Sequence, residues 1–393
     1  MGEGVPADGC RPYVIDVSRL IWRRWSGRLP TGIDRVCLAY LDHFAVSARA
    51  LVQRGRFRLV LDDASSDALF ALLRGGCGAG FRRRLTVLLA RAAIGKRCRD
   101  LSGKIYLNVG HTGLNSRGLG PWLRAGGLRP VVLVHDLIPI THPQFCRPGE
   151  AERHRQRMLA VLDWADGIIA NSAATRDSLA RFAAQSGRAL PETTVALLGC
   201  DPVAAPTAIK TPDRPWFVVV GTIEARKNHA FLLRLWQDIA AKRGSSAPLL
   251  VLIGQRGWEA DEAFALLDRS GQLAAHVLEL GTCSDGALSA WLKGARALLM
   301  PSLAEGFGLP VAEALALGTP VIATDLSVYR EFAGDIPLYL AASDADGWKQ
   351  AIESFAADGA ERDRRHALAA QYAPPSWAAH FAAVDAWLSR FPA

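Results

Sequence analysis

A chain of 393 residues, half of them apolar, has room for two domains of ordinary size, each with its own core, and is not the composition of a disordered chain. Its net charge of +8 is unevenly spread: residues 1–200 carry 29 Lys+Arg against 16 Asp+Glu, and the remainder 17 against 22. No aromatic-studded basic ribbon or nucleic-acid motif accompanies that charge, which sets nucleic acid aside and leaves an anionic membrane surface or a lipid-phosphate ligand as the partner of the basic half.

The first twenty residues lack the cationic start and apolar centre of a leader, and no stretch reaches the length of a membrane span, so a cytosolic location is expected. Seven scattered cysteines (10, 37, 77, 98, 146, 200 and 283) never form a C-x-x-C pair, which argues against a disulfide framework and against a zinc site. Reduced, mostly buried thiols are expected.

In chain order, apolar runs of strand length occur at 13–17, 57–61, 104–109, 130–135, 167–171 and 194–198, with helical stretches between them. This is the cadence of a parallel α/β sheet. Residues 201–215, with four prolines and no apolar periodicity, read as an interdomain connection. A second series then runs through WFVVVG from Trp216, LLVLIG from Leu249, HVLEL from His276, ALLM from Ala297 and PVIAT from Pro320. No G-x-G-x-x-G follows any of these runs, so a nicotinamide or flavin site has little support. The tail places Trp377, Phe381, Val384 and Trp387 at three- and four-residue steps after a Pro-Pro break and reads as an amphipathic helix. Residues 81–99 combine Phe81, Leu85, Leu88, Leu89 and Ala92 with seven arginines and lysines, which fits either a membrane-surface helix or a solvated basic face.

The most informative stretch is 297–324, ALLMPSLAEGFGLPVAEALALGTPVIAT. A short strand ends at Pro301, Gly306 and Gly308 let the backbone approach a ligand, and Pro310 fits the first helical position with Gly318 as the stop. A helix start preceded by glycine-freed amides is an anion site. Glu305 and Glu313 flank it, and since carboxylates repel phosphate, they are better used as hydroxyl acceptors on sugars beside a diphosphate. A second diphosphate seat is Gly221-Thr-Ile-Glu-Ala-Arg-Lys-Asn-His229, a strand-turn-helix step where Arg226 offers a guanidinium fork and Lys227 a compact cation.

The filling of the 305–313 segment resembles the donor-site signature of retaining glycosyltransferases of group 1 (family 4), the two-domain GT-B enzymes of bacterial polysaccharide synthesis. The resemblance runs from Val14 to Leu388 and, within the family, is greatest to exopolysaccharide and O-antigen mannosyltransferases. It implies two Rossmann-like domains facing across a cleft: 1–205 binding acceptor, 206–371 binding nucleotide-sugar donor, and 372–393 a helix that crosses back to the first domain. It further implies a catalytic set of Glu305, Lys227, Arg226 and His135. Glu305 would hold hydroxyls of the transferred sugar and Glu313 the ribose diol, with Gly32, Gly221, Gly254, Cys283, Phe307, Gly308 and Leu309 around the donor. Cys283 replaces the usual valine of the base-lining element, and Trp258 of GQRGW is open between core packing and stacking on ligand.

In the first domain, LPTGIDRV at 29–36 resembles the T-G-I-x-R-V loop of the mannosyltransferases, and VHDLIP at 134–139 carries the histidine that in the family touches the transferred sugar. Arg35 is open between a phosphate or acceptor contact and a helix-surface arginine. Asp136 is the carboxylate expected to orient the acceptor or act as base, and Asn171-Ser172 is read as a strand-end turn or cap. The implied reaction is metal-independent and without cofactor: sugar transfer, GDP-mannose favoured, to a lipid-linked saccharide at the inner face of the cytoplasmic membrane. Two other classes stay open, a nucleotide-sugar epimerase on the same fold and a catalytically inactive nucleotide-sugar-binding protein.

Overall fold

The computed structural model describes residues 11–27, 31–75, 80–94, 100–201 and 204–391. Cys10, Cys77 and Cys98, the Leu29-Pro30 start of the T-G-I loop, Lys96, Arg97 and Arg99 of the basic stretch, and residues 1–10 of the leader reading lie outside those residues. Cys37, Cys146, Cys200 and Cys283 are free thiols.

The first sheet has seven strands: β1 (Tyr13–Asp16), β2 (Ala48–Arg54), β3 (Phe57–Val60), β4 (Ile105–Asn108), β5 (Arg129–Val134), β6 (Gly167–Ala170) and β7 (Glu192–Val195), in the order β3-β2-β1-β4-β5-β6-β7. All pairs are parallel except β2–β3, a hairpin closed at Gly55 that makes one edge antiparallel. The second sheet is wholly parallel: β8 (Trp216–Val220), β9 (Leu249–Ile253), β10 (Val277–Leu280), β11 (Leu298–Met300), β12 (Val321–Thr324) and β13 (Leu338–Leu340), ordered β10-β9-β8-β11-β12-β13.

Three strands depart from the sequence expectation. β2, ARALVQR, shows no unbroken apolar run because Arg49 and Gln53 interrupt it; both polar side chains have partners, Arg49 on Asp63 at 2.6 Å and the buried Gln53 on Asp16. β7 begins two residues before the expected run, and Ala196 extends its pairing through a bond to Ala170 O at 2.9 Å. Short β13 was too brief to stand out as a run.

Helices cover both faces of each sheet, and the second core is closed by Trp236, Trp348 and Phe355, all buried. Each such aromatic contributes about 1.5–3 kcal/mol of burial. The helix Trp377–Leu388 packs on the first domain: Tyr40 OH meets His380 Nε2 at 2.8 Å, His43 stacks on Phe381 at 3.9 Å, and Trp387 Nε1 donates to Glu192 at 2.9 Å.

Both sheets reverse their winding between two central strands, β1 and β4 in one and β8 and β11 in the other. Open parallel sheets bind ligands outside the carboxyl ends of the strands at that switch point, because adjacent loops there diverge to opposite faces and leave a crevice. The loops after β8 and β11 are the Gly221 turn and the Glu305 segment.

Candidate active site in the interdomain cleft

On the second domain, the turn after β8 enters through Gly221, whose φ of +135° favours glycine; a Cβ there would lie 3.2 Å from Lys227 Cε. A short 3₁₀ turn, Ala225–Lys227, ends at Asn228 in the left-handed region, and the helix His229–Arg243 follows. Gly254, after β9, packs against this turn, bonding Leu280 O through its N–H at 2.9 Å.

The loop after β11 brings Glu305 onto that turn. Lys227 Nζ lies 2.5 Å from Glu305 Oε1, Arg226 donates to Oε2 at 2.7 Å, and Ser302 Oγ donates to Oε1 at 2.8 Å. Arg226 also meets Glu224 at 2.7 Å. Burial raises the Glu305 carboxyl, yet the two cations and their hydrogen bonds outweigh it and hold it down at about 2. Lys227 is lowered by burial, with Glu305 opposing. These four side chains sum to zero charge, so the field that attracts an anion comes from the helix starts beside them.

One of those starts is Leu309–Ala316, with Pro310 in its first turn. Gly308 precedes it at φ +102°, and a Cβ there would fall 2.4 Å from the Tyr329 ring, so glycine is required twice over. Phe307 is buried and stacked on Phe332 at 4.8 Å, which makes it a support of the loop. Cys283, half-buried, precedes the helix Asp285–Gly294 beyond β10, and Glu313 feels the charge of Asp285.

The first domain supplies the opposite wall. The helix of the T-G-I loop is Gly32–Phe44, started by a capping box of Thr31 and Asp34, with Arg19 and Arg23 gripping Asp34 at 2.7 and 2.8 Å. Its N-terminus faces the donor loop: a Cβ on Gly32 would lie 3.6 Å from Leu309 Cδ1. A Cβ on Gly306 would lie 2.8 Å from His135 O and 3.1 Å from Asp136 Oδ2. The two walls therefore touch around 306–309.

His135 follows β5, is buried, and has Nε2 2.7 Å from Val109 O; burial lowers it to about 4, so the ring is neutral and Nε2 is the donor. Its own carbonyl receives Asn171 Nδ2 at 2.8 Å, and Ser172 caps the helix Ala173–Gln185. Asp136 Oδ1 accepts from Ile138 N–H at 3.0 Å. Two further histidines stand here that sequence reasoning missed. His111, in the loop after β4, lies 5.1 Å from His135 between ring centres and 5.9 Å from His154. His111 Nε2 bonds Leu133 O at 2.9 Å and His154 Nε2 bonds Asp136 O at 3.1 Å, and burial lowers both. The position of His111 just past an apolar strand run was the available signal.

Arg35 is half-buried and engaged on both sides: NH1 donates to Glu313 Oε1 at 2.5 Å, and Nε and NH2 to Asp201 Oδ2 at 3.1 and 2.8 Å. Trp258 is half-buried, and Arg147 of the first domain sits 4.9 Å over its ring. Glu331 receives the N–H groups of Ala173 and Ala174 at 2.6 and 2.8 Å, joining a carboxylate of the second domain to a helix start of the first.

Residues 206–371 match the family model described as glycosyl transferases group 1. The serotype-specific mannosyltransferase WbdA of Escherichia coli is 28% identical over 251 residues, covering 60% of this chain and 31% of WbdA. O-antigen chain mannosyltransferase B of Escherichia coli is 29% identical over 226 residues, 56% of this chain and 58% of that one. The similarity thus spans about a third of the one relative and somewhat over half of the other. Among solved structures, Anabaena HepE in complex with UDP and glucose superposes with TM-score 0.65 at 14% identity, over 96% of this chain and 99% of that one. Sucrose-phosphate synthase from Thermosynechococcus elongatus gives TM-score 0.61 at 15% identity, over 97% and 99%. The fold is GT-B, two Rossmann-like domains facing across a cleft, and the match to the group 1 glycosyltransferase model falls within the second of them.

Proposed function

From the match of residues 206–371 to the group 1 glycosyltransferase model, we propose that the chain is a retaining, metal-independent hexosyltransferase that moves mannose from GDP-mannose to a hydroxyl of a lipid-linked saccharide in bacterial polysaccharide synthesis. The observation that carries this reading is the buried Glu305 held by Lys227 and Arg226 between two helix starts, opposite the neutral His135. The names of the relatives, mannosyltransferases of O-antigen chains, support the sugar and the acceptor class.

The donor diphosphate sits at the starts of the helices Leu309–Ala316 and His229–Arg243, with Arg226 and Lys227 against its oxygens. Glu305 fixes both cations before the reaction, so no reorganisation is needed as charge grows on the leaving group. Its Oε2 carries one protein hydrogen bond and retains a lone pair for a sugar hydroxyl. His135 offers Nδ1 as an acceptor, since Nε2 gives its proton to Val109 O. In the transfer, the bond from the sugar anomeric carbon to the phosphate oxygen breaks, the acceptor oxygen bonds that carbon on the same face, and the acceptor proton passes to the departing phosphate. The helix starts supply the net positive field, and Arg226 and Lys227 the positioned N–H donors, that a metal would otherwise replace.

A thermal-shift screen over GDP-, UDP- and dTDP-sugars identifies the donor, because only a ligand of the folded state raises the midpoint. Incubation of the stabilising donor with and without a lipid-diphosphate-linked saccharide, in the presence of a chelator, then reads the reaction by product NMR. Transferred sugar with retained configuration is expected. Epimerised donor without acceptor, or binding with no turnover, overturns the reading in favour of the epimerase or the inactive binder.

We place the enzyme at an anionic membrane surface through the helix Phe81–Ile94. It buries Phe81, Leu85 and Ala92 and turns outward Val87, 45% exposed, and Ile94, 88% exposed, beside the exposed Arg83, Arg84 and Arg91. Arg82 is engaged, donating to Trp25 O at 2.8 Å. Among the described residues no helix is long and apolar enough to cross a membrane. Each basic residue near such a surface adds about 1 kcal/mol, so reversible binding that salt weakens is expected. Cosedimentation with anionic and neutral vesicles tests it, and equal binding to both, or no loss in Arg83→Glu/Arg84→Glu/Arg91→Glu, removes the proposal.

A further inference from the structure

Arg35 joins the donor domain to the point where the chain crosses between domains. Its guanidinium uses one side on Glu313 and the other on Asp201. Asp201 lies at the start of the crossing to the second domain, and its other oxygen accepts from Trp377 Nε1 at 2.7 Å, on the first residue of the helix that returns. Cys200 N–H bonds Pro375 O at 2.8 Å, so the outgoing and returning segments are tied side by side. An unbroken run of hydrogen bonds therefore leads from Glu313 through Arg35 and Asp201 to both crossings.

Only Oε1 of Glu313 is bound among the described residues. A carboxylate with one oxygen fixed by a guanidinium keeps its plane and presents the other oxygen in a fixed direction. A vicinal diol, with two O–H donors, is the group that such an oxygen receives. Resting on the proposed nucleotide-sugar reading, we infer that Arg35 is a positioning residue: it holds Glu313 for the ribose diol and makes nucleotide affinity depend on the arrangement of the two domains at the crossing.

The electrostatic surroundings give this a distinctive signature. The groups facing Glu313 are Arg35 from the helix Gly32–Phe44, Asp201 and the Cys200 thiol from the crossing, and Asp285 from the helix Asp285–Gly294; Arg35 is the cation of that set. Burial already raises the Glu313 carboxyl, and Arg35 opposes it. Without Arg35, burial and the two neighbouring aspartates act together, and Glu313 takes up a proton at a higher pH. A protonated acid is a poorer acceptor for the diol.

The test is calorimetric binding of GDP and of UDP to the full chain between pH 5.5 and 8.5, read as the ratio of variant to wild-type affinity, which cancels the titration of the nucleotide itself. For Arg35→Ala the ratio is expected to be reduced about tenfold at pH 8.5 and to fall further towards pH 5.5. Arg35→Lys restores a ratio independent of pH. Glu313→Gln gives a reduced ratio with no pH dependence. Asp201→Asn, which alters the partner of Arg35 and leaves Glu313 and Arg35 themselves in place, lowers affinity a few-fold and keeps the inference testable where Arg35→Ala does not fold. Wild-type affinity and a flat ratio in folded Arg35→Ala, or unchanged affinity in Asp201→Asn, overturns the inference alone. Failure of the wild-type chain to bind either nucleotide overturns the functional reading and the inference with it.

Discussion

The two walls of the cleft hold their polar groups in opposite ways. The donor wall buries full charges, Glu224, Arg226, Lys227 and Glu305, and keeps them ionised by pairing them. The first-domain wall holds three imidazoles, His135 and His154 buried and His111 half-buried, and keeps them neutral, each with Nε2 bonded to a backbone carbonyl. Desolvation acts on both walls, but the outcome depends on what stands within hydrogen-bond reach: an opposite charge preserves an ion, whereas a single carbonyl, although it favours the protonated ring, does not offset burial. A wall for a diphosphate needs fixed charge, and a wall for hydroxyl-bearing sugars needs lone pairs and little field.

The largest test of this contrast is Lys227→Ala. Removing a positioned charge beside the leaving diphosphate is expected to lower turnover by two to three orders of magnitude, about 3–4 kcal/mol, while Arg226 and Ser302 still hold Glu305. Steady-state kinetics on protein with an intact unfolding transition checks it; near-normal turnover with saturating donor breaks the comparison. Next, Glu305→Gln should lower kcat about a hundredfold with little change in donor KM, whereas Glu313→Gln should raise donor KM about tenfold. One residue would act as charge develops and the other in ground and transition states alike, and identical changes in both constants would remove the distinction.

On the first-domain wall, His111→Ala is expected to raise acceptor KM about tenfold and leave donor affinity untouched, since the ring faces the His135 side of the cleft. Initial rates with varied acceptor and calorimetry with donor separate the two. An equal loss of donor affinity would place His111 with the donor wall.

The walls should also lose stability in different pH windows. His135 is depressed from an ordinary 6.5 to about 4, so the unfolded chain binds its proton first; this contribution is fully present above pH 6.5 and is lost as pH falls towards 4. Glu305 is depressed from 4.5 to about 2, so its contribution is intact above 4.5 and is lost as pH falls through 2. Urea midpoints at a series of pH values should therefore drop first in the histidine window, and His135→Asn should reduce that drop by its own share, with His111 and His154 still contributing, without altering the lower one. The smallest effect is expected for Glu331→Gln, about 0.5–1 kcal/mol from the loss of a carboxylate at the start of the helix Ala173–Gln185. Thermal unfolding checks it, and a change beyond about 2 kcal/mol would make that contact, rather than Arg35, the principal fastening of the domains.

The donor wall was legible in the sequence because its parts are local. Gly221 to Lys227 is one turn after one strand, and Glu305 to Glu313 is one loop and one helix, so spacing along the chain fixes spacing in space to within a turn. The alternation of strand-length runs, the Pro-rich crossing at 201–215 and the helical tail were legible for the same reason, each being a property of a short window. β2 escaped because burial of Arg49 and Gln53 depends on Asp63 and Asp16, partners 14 and 37 residues away, and a window sees only two polar residues in an apolar run.

Tertiary structure alone decided what each polar side chain does. That Arg35 meets Glu313 across 278 positions, that Glu305 is already paired with Lys227 and Arg226, and that His111, His135 and His154 share one pocket follow from how two sheets set their switch points against each other. The sequence determined which chemistry was on hand, since residue type sets charge, donors and acceptors. Partners, and with them protonation states, were set by packing, because in a desolvated cleft a contact of 2.5–3 Å outweighs anything that residue type or neighbouring sequence can specify.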